Sequence, residues 1–346
     1  MSAVYFRTDG NEKIATGHIM RCLSIARACR SLSMEVSFLV SDEKSASLLE
    51  ERFTSPEEFP ITCLHTDYQA LESELPALRT MLKGVPQNTF WLFIDSYFVT
   101  KTYLSELQKI CHVAYLDDLL AFDYPADLII NYDITKEPAC YHKAGLKLTG
   151  AAYTPLREQF QNVSYEVRPE VRNVLLSAGG TDACNVIGTL LHQIFMAKNE
   201  YAKTLNYHVL TSRLNSHFQE LEHFASLYPA IHIHTDVQDM AALMCRCDLG
   251  ISAGGTTLYE LCAVGVPSVS FTTADNQLSA VKTFSDHKII PYAGDACSST
   301  ERICDALITF LNSHKDSYAE RKKSSQRMRA FLDGRGSYRI AAALAD

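Results

Sequence analysis

The sequence has no apolar run approaching the roughly 20 residues that span a bilayer, so neither a membrane span nor a membrane partner is expected. Its first nine residues lack a basic stretch followed by an apolar run, so no signal peptide is expected and the expected location is cytoplasmic. Cys-x-x-Cys does not occur, and Cys245-Arg246-Cys247 is too closely spaced to signal zinc on its own. The 11 cysteines are an odd number, scattered and mostly set in apolar runs, as at Cys22, Cys29, Cys63 and Cys262. That is the pattern of buried thiols in a reducing compartment. There is no Gly-x-Gly-x-x-Gly and no P-loop, which argues against dinucleotide oxidoreductases and NTPases. Basic side chains are outnumbered, and a net charge of −8 repels phosphate polymers, so nucleic acid is not an expected partner. A small anion remains admissible, because clustered backbone N–H groups override net charge locally.

What is present is an alternation of short apolar runs with longer amphipathic ones. Residues 4–7, 36–40, 61–64, 90–95, 113–116, 128–131 and 146–149 read as strands, and 19–31, 70–83 and 101–110 as helices between them. The pattern pauses over 150–172 and restarts. Strands are then expected at 173–177, 207–211, 231–234, 249–252 and 268–271, and helices at 184–197, 216–226, 237–247, 256–264 and 276–284. The tail from Thr300 reads as helical, with 315–329 as a solvated, charge-rich face. A chain of 346 residues exceeds one ordinary core. The expected fold is therefore α/β, with two doubly wound Rossmann-like domains, 1–160 and 161–346, facing a cleft that takes ligand at the strands' carboxyl ends. The last helix is expected to return to the N-terminal domain.

One pentapeptide occurs twice, as Ser177-Ala178-Gly179-Gly180-Thr181 and as Ser252-Ala253-Gly254-Gly255-Thr256. Each follows an expected strand and is read as opening a helix. Small residues there let the backbone turn tightly and expose N–H groups, and the helix dipole adds roughly 0.3–2 kcal/mol for an anion. Gly179, Gly180, Gly254, Gly255, Thr256 and Thr257 are therefore candidate diphosphate contacts. Val237, at the start of the expected 237–247 helix, joins them as a nucleotide contact. Glu260, one turn into its helix, suits ribose hydroxyls better than phosphate. The plain alternative is a tight strand-to-helix turn, and the duplication weighs against it.

The polar loop after the first strand ends in Gly17-His18-Ile19-Met20-Arg21. His18 falls at a helix start, where the dipole disfavours imidazolium and keeps the ring available as a base. The alternative is a histidine that merely caps or packs. His232 and His234 share a strand face but show no third ligand in the sequence. Asp117-Asp118 reads as a turn or cap. No metal and no cofactor are expected.

These residues, taken in order, resemble a known family. They are Arg7-x-Asp9, Gly17-His18-x-x-Arg21, Asp95-Ser96-Tyr97, Asp117-Asp118-Leu119, Asp127-Leu128-x-x-Asn131, Gly150-x-x-Tyr153-x-x-Leu156-Arg157 and the two glycine turns. The set resembles the UDP-2,4-diacetamido-2,4,6-trideoxy-β-L-altropyranose hydrolase family of pseudaminic acid biosynthesis, over about residues 4–280. Gly254-Gly255-Thr256-Thr257-x-x-Glu260, with Gly265-x-Pro267 and Asn276-Gln277, is also similar to the UDP-N-acetylglucosamine transferase of lipid II synthesis. The resemblance implies a GT-B fold, UDP held by the C-terminal domain, and His18 as catalytic base. The first glycine of the hydrolases' Gly-x-Gly-His-x-x-Arg motif is Ala15 here.

The expected activity is metal-independent hydrolysis of a UDP-sugar at its anomeric carbon, with inversion. Gly17, Arg7, Asp9, Arg21, Tyr97, Tyr153, Asn276 and Gln277 are candidates for gripping the sugar. An inverting glycosyltransferase shares the fold, donor site and base. A non-catalytic nucleotide-sugar-binding protein would need the turns but not His18.

Overall fold

The computed structural model describes residues 3–11, 13–14, 16–83, 89–133, 141–196 and 200–345. The chain forms two compact units, Met1–Glu158 with Arg335–Asp346, and Gln159–Gly334.

The first unit holds a seven-stranded sheet. Its strands are β1 (Ala3–Thr8), β2 (Glu35–Val40), β3 (Ile61–Cys63), β4 (Phe90–Asp95), β5 (His112–Leu116), β6 (Leu128–Asn131) and β7 (Leu146–Thr149). The order is β3-β2-β1-β4-β5-β6-β7, and every pairing is parallel. Helices α1 (Gly17–Ser31), α2 (Glu43–Glu50), α3 (Leu75–Met81) and α4 (Lys101–Leu107) fill the four crossovers from β1 to β5. Strand periodicity divides the core in two. Phe6, Phe38 and Phe93 pack with Ile19, Cys22 and Leu23 of α1 on one face, while Leu39, Leu92 and Ile94 pack with Leu78 and Leu104 on the other.

The second unit holds six parallel strands, ordered β10-β9-β8-β11-β12-β13. They are β8 (Asn173–Ser177), β9 (Asn206–Leu210), β10 (Ile231–His234), β11 (Leu249–Ala253), β12 (Ser268–Thr272) and β13 (Tyr292–Asp295). The helices are α5 (Val186–Met196), α6 (Phe218–Leu227), α7 (Met240–Cys245), α8 (Thr256–Val264), α9 (Leu278–Asp286), α10 (Thr300–His314) and α11 (Tyr318–Phe331). The last helix, α12 (Gly336–Ala345), belongs to the first unit, where Ile340, Ala341 and Leu344 enter the α1 core.

Several features depart from the sequence reading. Helix α2 and strand β13 were not anticipated. The former is only eight residues long. The latter is an edge strand whose register slips between Ser270 and Thr272. The charge-rich stretch 315–329 is not wholly solvated. Arg321 is fully buried and donates to the carbonyls of Arg168 and Pro169 at 2.7 and 2.6 Å. Nor are all the described cysteines thiols. Cys184 and Cys297 form a disulfide, because the segment leading into α5 and the loop after β13 bring their Cα atoms within 5.8 Å. Among the described residues, no helix is long and apolar enough to cross a membrane.

Candidate functional site

A parallel sheet opens at its carboxyl edge where the strand order reverses, because the crossovers diverge there. In the first unit that point lies between β1 and β4, and Thr8 pairs with Asp95 across it. The segment after β1 leads to α1, and Asp95 ends β4. The reversal thus brings His18 and Asp95 together although 77 residues separate them.

His18 is the second residue of α1 and is buried. Its Nδ1 lies 2.6 Å from Asp95 Oδ1. Asp95 is also gripped by Arg21, whose Nε meets Oδ2 and whose Nη2 meets Oδ1. Arg21 lies one turn beyond His18, so the two side chains share a helix face. Its Nη1 continues to Asp118 Oδ2 at 2.6 Å and is shared with Tyr132 Oη at 2.9 Å. The Tyr97 ring stands edge-on to the His18 ring, 4.4 Å between centroids, and its hydroxyl reaches Asp118 Oδ2 at 3.4 Å.

Burial would raise the Asp95 carboxyl, but Arg21 and His18 outweigh it and hold it down to about 2. Asp95 is therefore a carboxylate throughout the neutral range, able to accept from His18 Nδ1–H. That tautomer leaves Nε2 with the lone pair a base requires. Neither α1 nor its N-cap Thr16 supplies a side-chain cap, so the positive helix end is left beside the ring. A narrow surface crevice beside the ring is lined by Asp9, His18, Tyr68, Asp95, Tyr97 and Phe98, among others.

Two expected sugar contacts lie deeper. Phe6 faces the α1 core, so Arg7 projects to the opposite face of the sheet. There it is fully buried, with Nε on Glu74 at 2.8 Å and Nη1 on Asp9. Glu74 also accepts from the Tyr103 hydroxyl. Asp9 Oδ1 takes the Ser41 N–H and Oγ–H at 2.7 and 2.8 Å. Arg7 is thus enclosed in an ion network that braces the loop. Gly17 is exposed with open space above its Cα, while Tyr153, in the 3₁₀ turn Ala151–Tyr153, packs at the edge of the α1 core. Ala15 lies outside the described residues. The sequence reading gave Asp95 no role of its own and read Asp118 as part of a turn or cap. Asp117 does make the turn, accepting from the Leu119 and Leu120 N–H groups, which leaves Asp118 for Arg21.

In the second unit the order reverses between β8 and β11, where Ser177 pairs with Ser252. The two glycine turns therefore leave adjacent strands side by side. Gly254 must lack a side chain, since a Cβ there would meet Val281 Cγ1 at 2.4 Å and Gln277 Cβ at 3.1 Å. Gly255 is the N-cap of α8, with no side-chain cap and open space at its Cβ position. Thr256 and Thr257 occupy the first turn, and Glu260 is buried one turn further in. Gln277 backs Gly254 and accepts from the Thr273 N–H at 2.9 Å, while Asn276 is exposed beside it.

The first copy differs. Gly179 has φ +84° and Gly180 O accepts from Ser212 Oγ, but α5 does not open there. It begins at Val186, and Asp182 caps it, Oδ1 on Val186 N at 2.8 Å and Oδ2 on Ile187 N at 3.0 Å. The extra residues and the aspartate displace the helix start from the glycines. The expected 237–247 helix likewise begins later, at Met240, capped by Asp239, so Val237 sits half-buried in the preceding loop.

Comparison with known proteins agrees with this architecture. Residues 174–333 match the glycosyltransferase family 28 C-terminal domain. The spore coat polysaccharide biosynthesis protein SpsG of Bacillus subtilis is 23% identical over 98% of this chain and 96% of its own length. The UDP-2,4-diacetamido-2,4,6-trideoxy-β-L-altropyranose hydrolase of Campylobacter jejuni is 23% identical over 70% of this chain and 81% of its own. An uncharacterised Methanocaldococcus jannaschii protein is matched over only 54% of its length. The crystal structure of Acinetobacter baumannii MurG superposes with a TM-score of 0.70 at 14% identity, covering 100% of this chain and 99% of that one. The chain thus has a GT-B fold, and it is similar over residues 174–333 to the glycosyltransferase family 28 C-terminal domain and, at 23% identity, to SpsG and to the Campylobacter hydrolase.

Proposed function

We propose that the chain hydrolyses the sugar–diphosphate bond of a UDP-linked di-N-acetylated 6-deoxy sugar, the UDP-2,4-diacetamido-2,4,6-trideoxy-β-L-altropyranose of the Campylobacter relative. In this reading it works in the cytoplasm, in pseudaminic acid biosynthesis. The observation that carries the reading is the His18–Asp95 pair at the first unit's strand reversal. Asp95 holds Nδ1–H, and His18 Nε2 takes a proton from water. The water oxygen bonds to the anomeric carbon as the bond from that carbon to the phosphate oxygen breaks. UDP leaves with the electron pair, its charge met by first-turn N–H groups of α8 and the hydroxyls of Thr256 and Thr257. Attack opposite the leaving group inverts the anomeric centre. A positioned base supplies about 10²–10⁴-fold in rate. Arg21, Tyr97, Asn276 and Gln277 are the polar groups proposed to orient the sugar, with Arg7 and Asp9 bracing the loop behind them.

The second reading is an inverting glycosyltransferase, favoured by the family 28 domain at residues 174–333. There an acceptor hydroxyl replaces water while donor site and base stay the same. The two separate when the enzyme is incubated with the UDP-sugar alone and followed by NMR. Hydrolysis yields UDP and free sugar, whereas turnover that begins only on adding an acceptor alcohol would overturn it.

A further inference from the structure

Outside the His18 network, Glu43, Cys63 and His65 meet at the carboxyl edge of the first unit's sheet. Cys63 ends edge strand β3, and Glu43 opens α2 after β2. His65 follows Cys63 by two residues in left-handed backbone, φ 53°, a region that a side chain with a Cβ seldom occupies. His65 Nδ1 lies 3.5 Å from Cys63 Sγ, and its Nε2 lies 3.9 Å from Glu43 Oε1. One donor atom from each of the three residues falls within 4.8 Å of the others. Among the described residues, this is the one trio of potential ligands drawn together so closely.

A sulfur, an imidazole nitrogen and a carboxylate oxygen form a donor set for a borderline divalent cation, not for magnesium or calcium, which take oxygen ligands. Tetrahedral zinc, with bonds of about 2.0–2.3 Å, sets its donors roughly 3.5 Å apart. The Cys63–His65 separation already has that value. A plain surface ion pair would account for His65 and Glu43 but would not need the cysteine.

We propose that Glu43, Cys63 and His65 bind one zinc-class divalent cation, with the fourth position left to water. This goes beyond the proposed hydrolysis and does not depend on it. On binding, the Cys63 S–H proton passes to solvent as the sulfur–metal bond forms; no electron is transferred. The cation would therefore staple the end of β3, through Cys63, to the start of α2, through Glu43.

The test uses the full chain, reduced and stripped with chelator, titrated with zinc chloride by calorimetry and with cobalt(II) chloride by absorption. One equivalent of zinc is expected, with a near-ultraviolet thiolate-to-cobalt band. Cys63→Ser should abolish the band, and His65→Gln and Glu43→Gln should each weaken binding by about tenfold or more. Circular dichroism of the stripped variants checks that they fold. If Cys63→Ser fails to fold, His65→Gln carries the same reading, because its side chain is largely exposed. The absence of saturable zinc binding would overturn the proposal. So would affinity unchanged in the folded Cys63→Ser or His65→Gln variant.

Discussion

The two Ser-Ala-Gly-Gly-Thr turns have the same sequence, sit on adjacent strands and are in register, yet they prepare different environments. The turn after β11 ends in a helix whose N-cap, Gly255, has no side chain to occupy the first-turn N–H groups. The turn after β8 runs on to Asp182, whose two carboxylate oxygens already hold the first N–H groups of α5. A helix start capped by a carboxylate has little left for a phosphate and repels its charge. Burial pushes the Asp182 carboxyl up from its ordinary range, against the pull of those N–H groups. The residues just past the repeated glycines, and not the glycines themselves, therefore decide where an anion can sit.

The comparison is sharpened most by separating chemistry from binding. His18→Asn should lower turnover by about 10²-fold or more while leaving the UDP dissociation constant nearly unchanged, read by steady-state kinetics beside calorimetry. Weaker UDP binding of similar size would mean that the second-unit turn does not hold the nucleotide by itself. Next, Gly255→Asp places a carboxylate where the Cβ has open space. It should cost about 2 kcal/mol of UDP affinity, roughly thirtyfold, whereas Gly180→Asp should cost less than about threefold. Equal losses would break the asymmetry between the turns.

Smaller effects fall on stability. Gly254→Ala drives a methyl into Val281 and should destabilise by about 1–3 kcal/mol in a denaturant titration. Asp182→Ala removes the α5 cap and should cost about 1 kcal/mol. A further effect concerns the sheet beside the first turn. There, His208 on β9 is pushed down to about 4 by burial and by His234, His232 and Arg246. The unfolded chain, with His208 near its ordinary value of about 6.5, binds more protons between these limits. Stability should therefore fall as pH drops from about 6.5 towards about 4, and His208→Gln should flatten that part of the melting-temperature profile.

The strands were the most legible features, because buried parallel strands read as short continuous apolar runs, as at β4, β8 and β11. The 3₁₀ turn at Asp275–Gln277 and the late start of α5 were less so, since both depend on local bonding that composition does not display. His18 and Arg21 could be singled out by their spacing at a helix start. Arg7 was expected at the sugar because it ends an expected strand beside the polar loop, while strand alternation turns it to the other face against Glu74 and Tyr103.

Local order along the chain thus determined the α/β alternation, the helix that carries His18 and the glycine turn that opens α8, because each depends on residues within a few positions of one another. Tertiary structure alone decided that Asp95 orients His18, that Asp118 completes the grip on Arg21, and that Cys63 and His65 meet Glu43. These outcomes depend on strand order. A parallel sheet brings the carboxyl ends of distant strands to one edge, and no spacing within a single segment encodes which strands become neighbours.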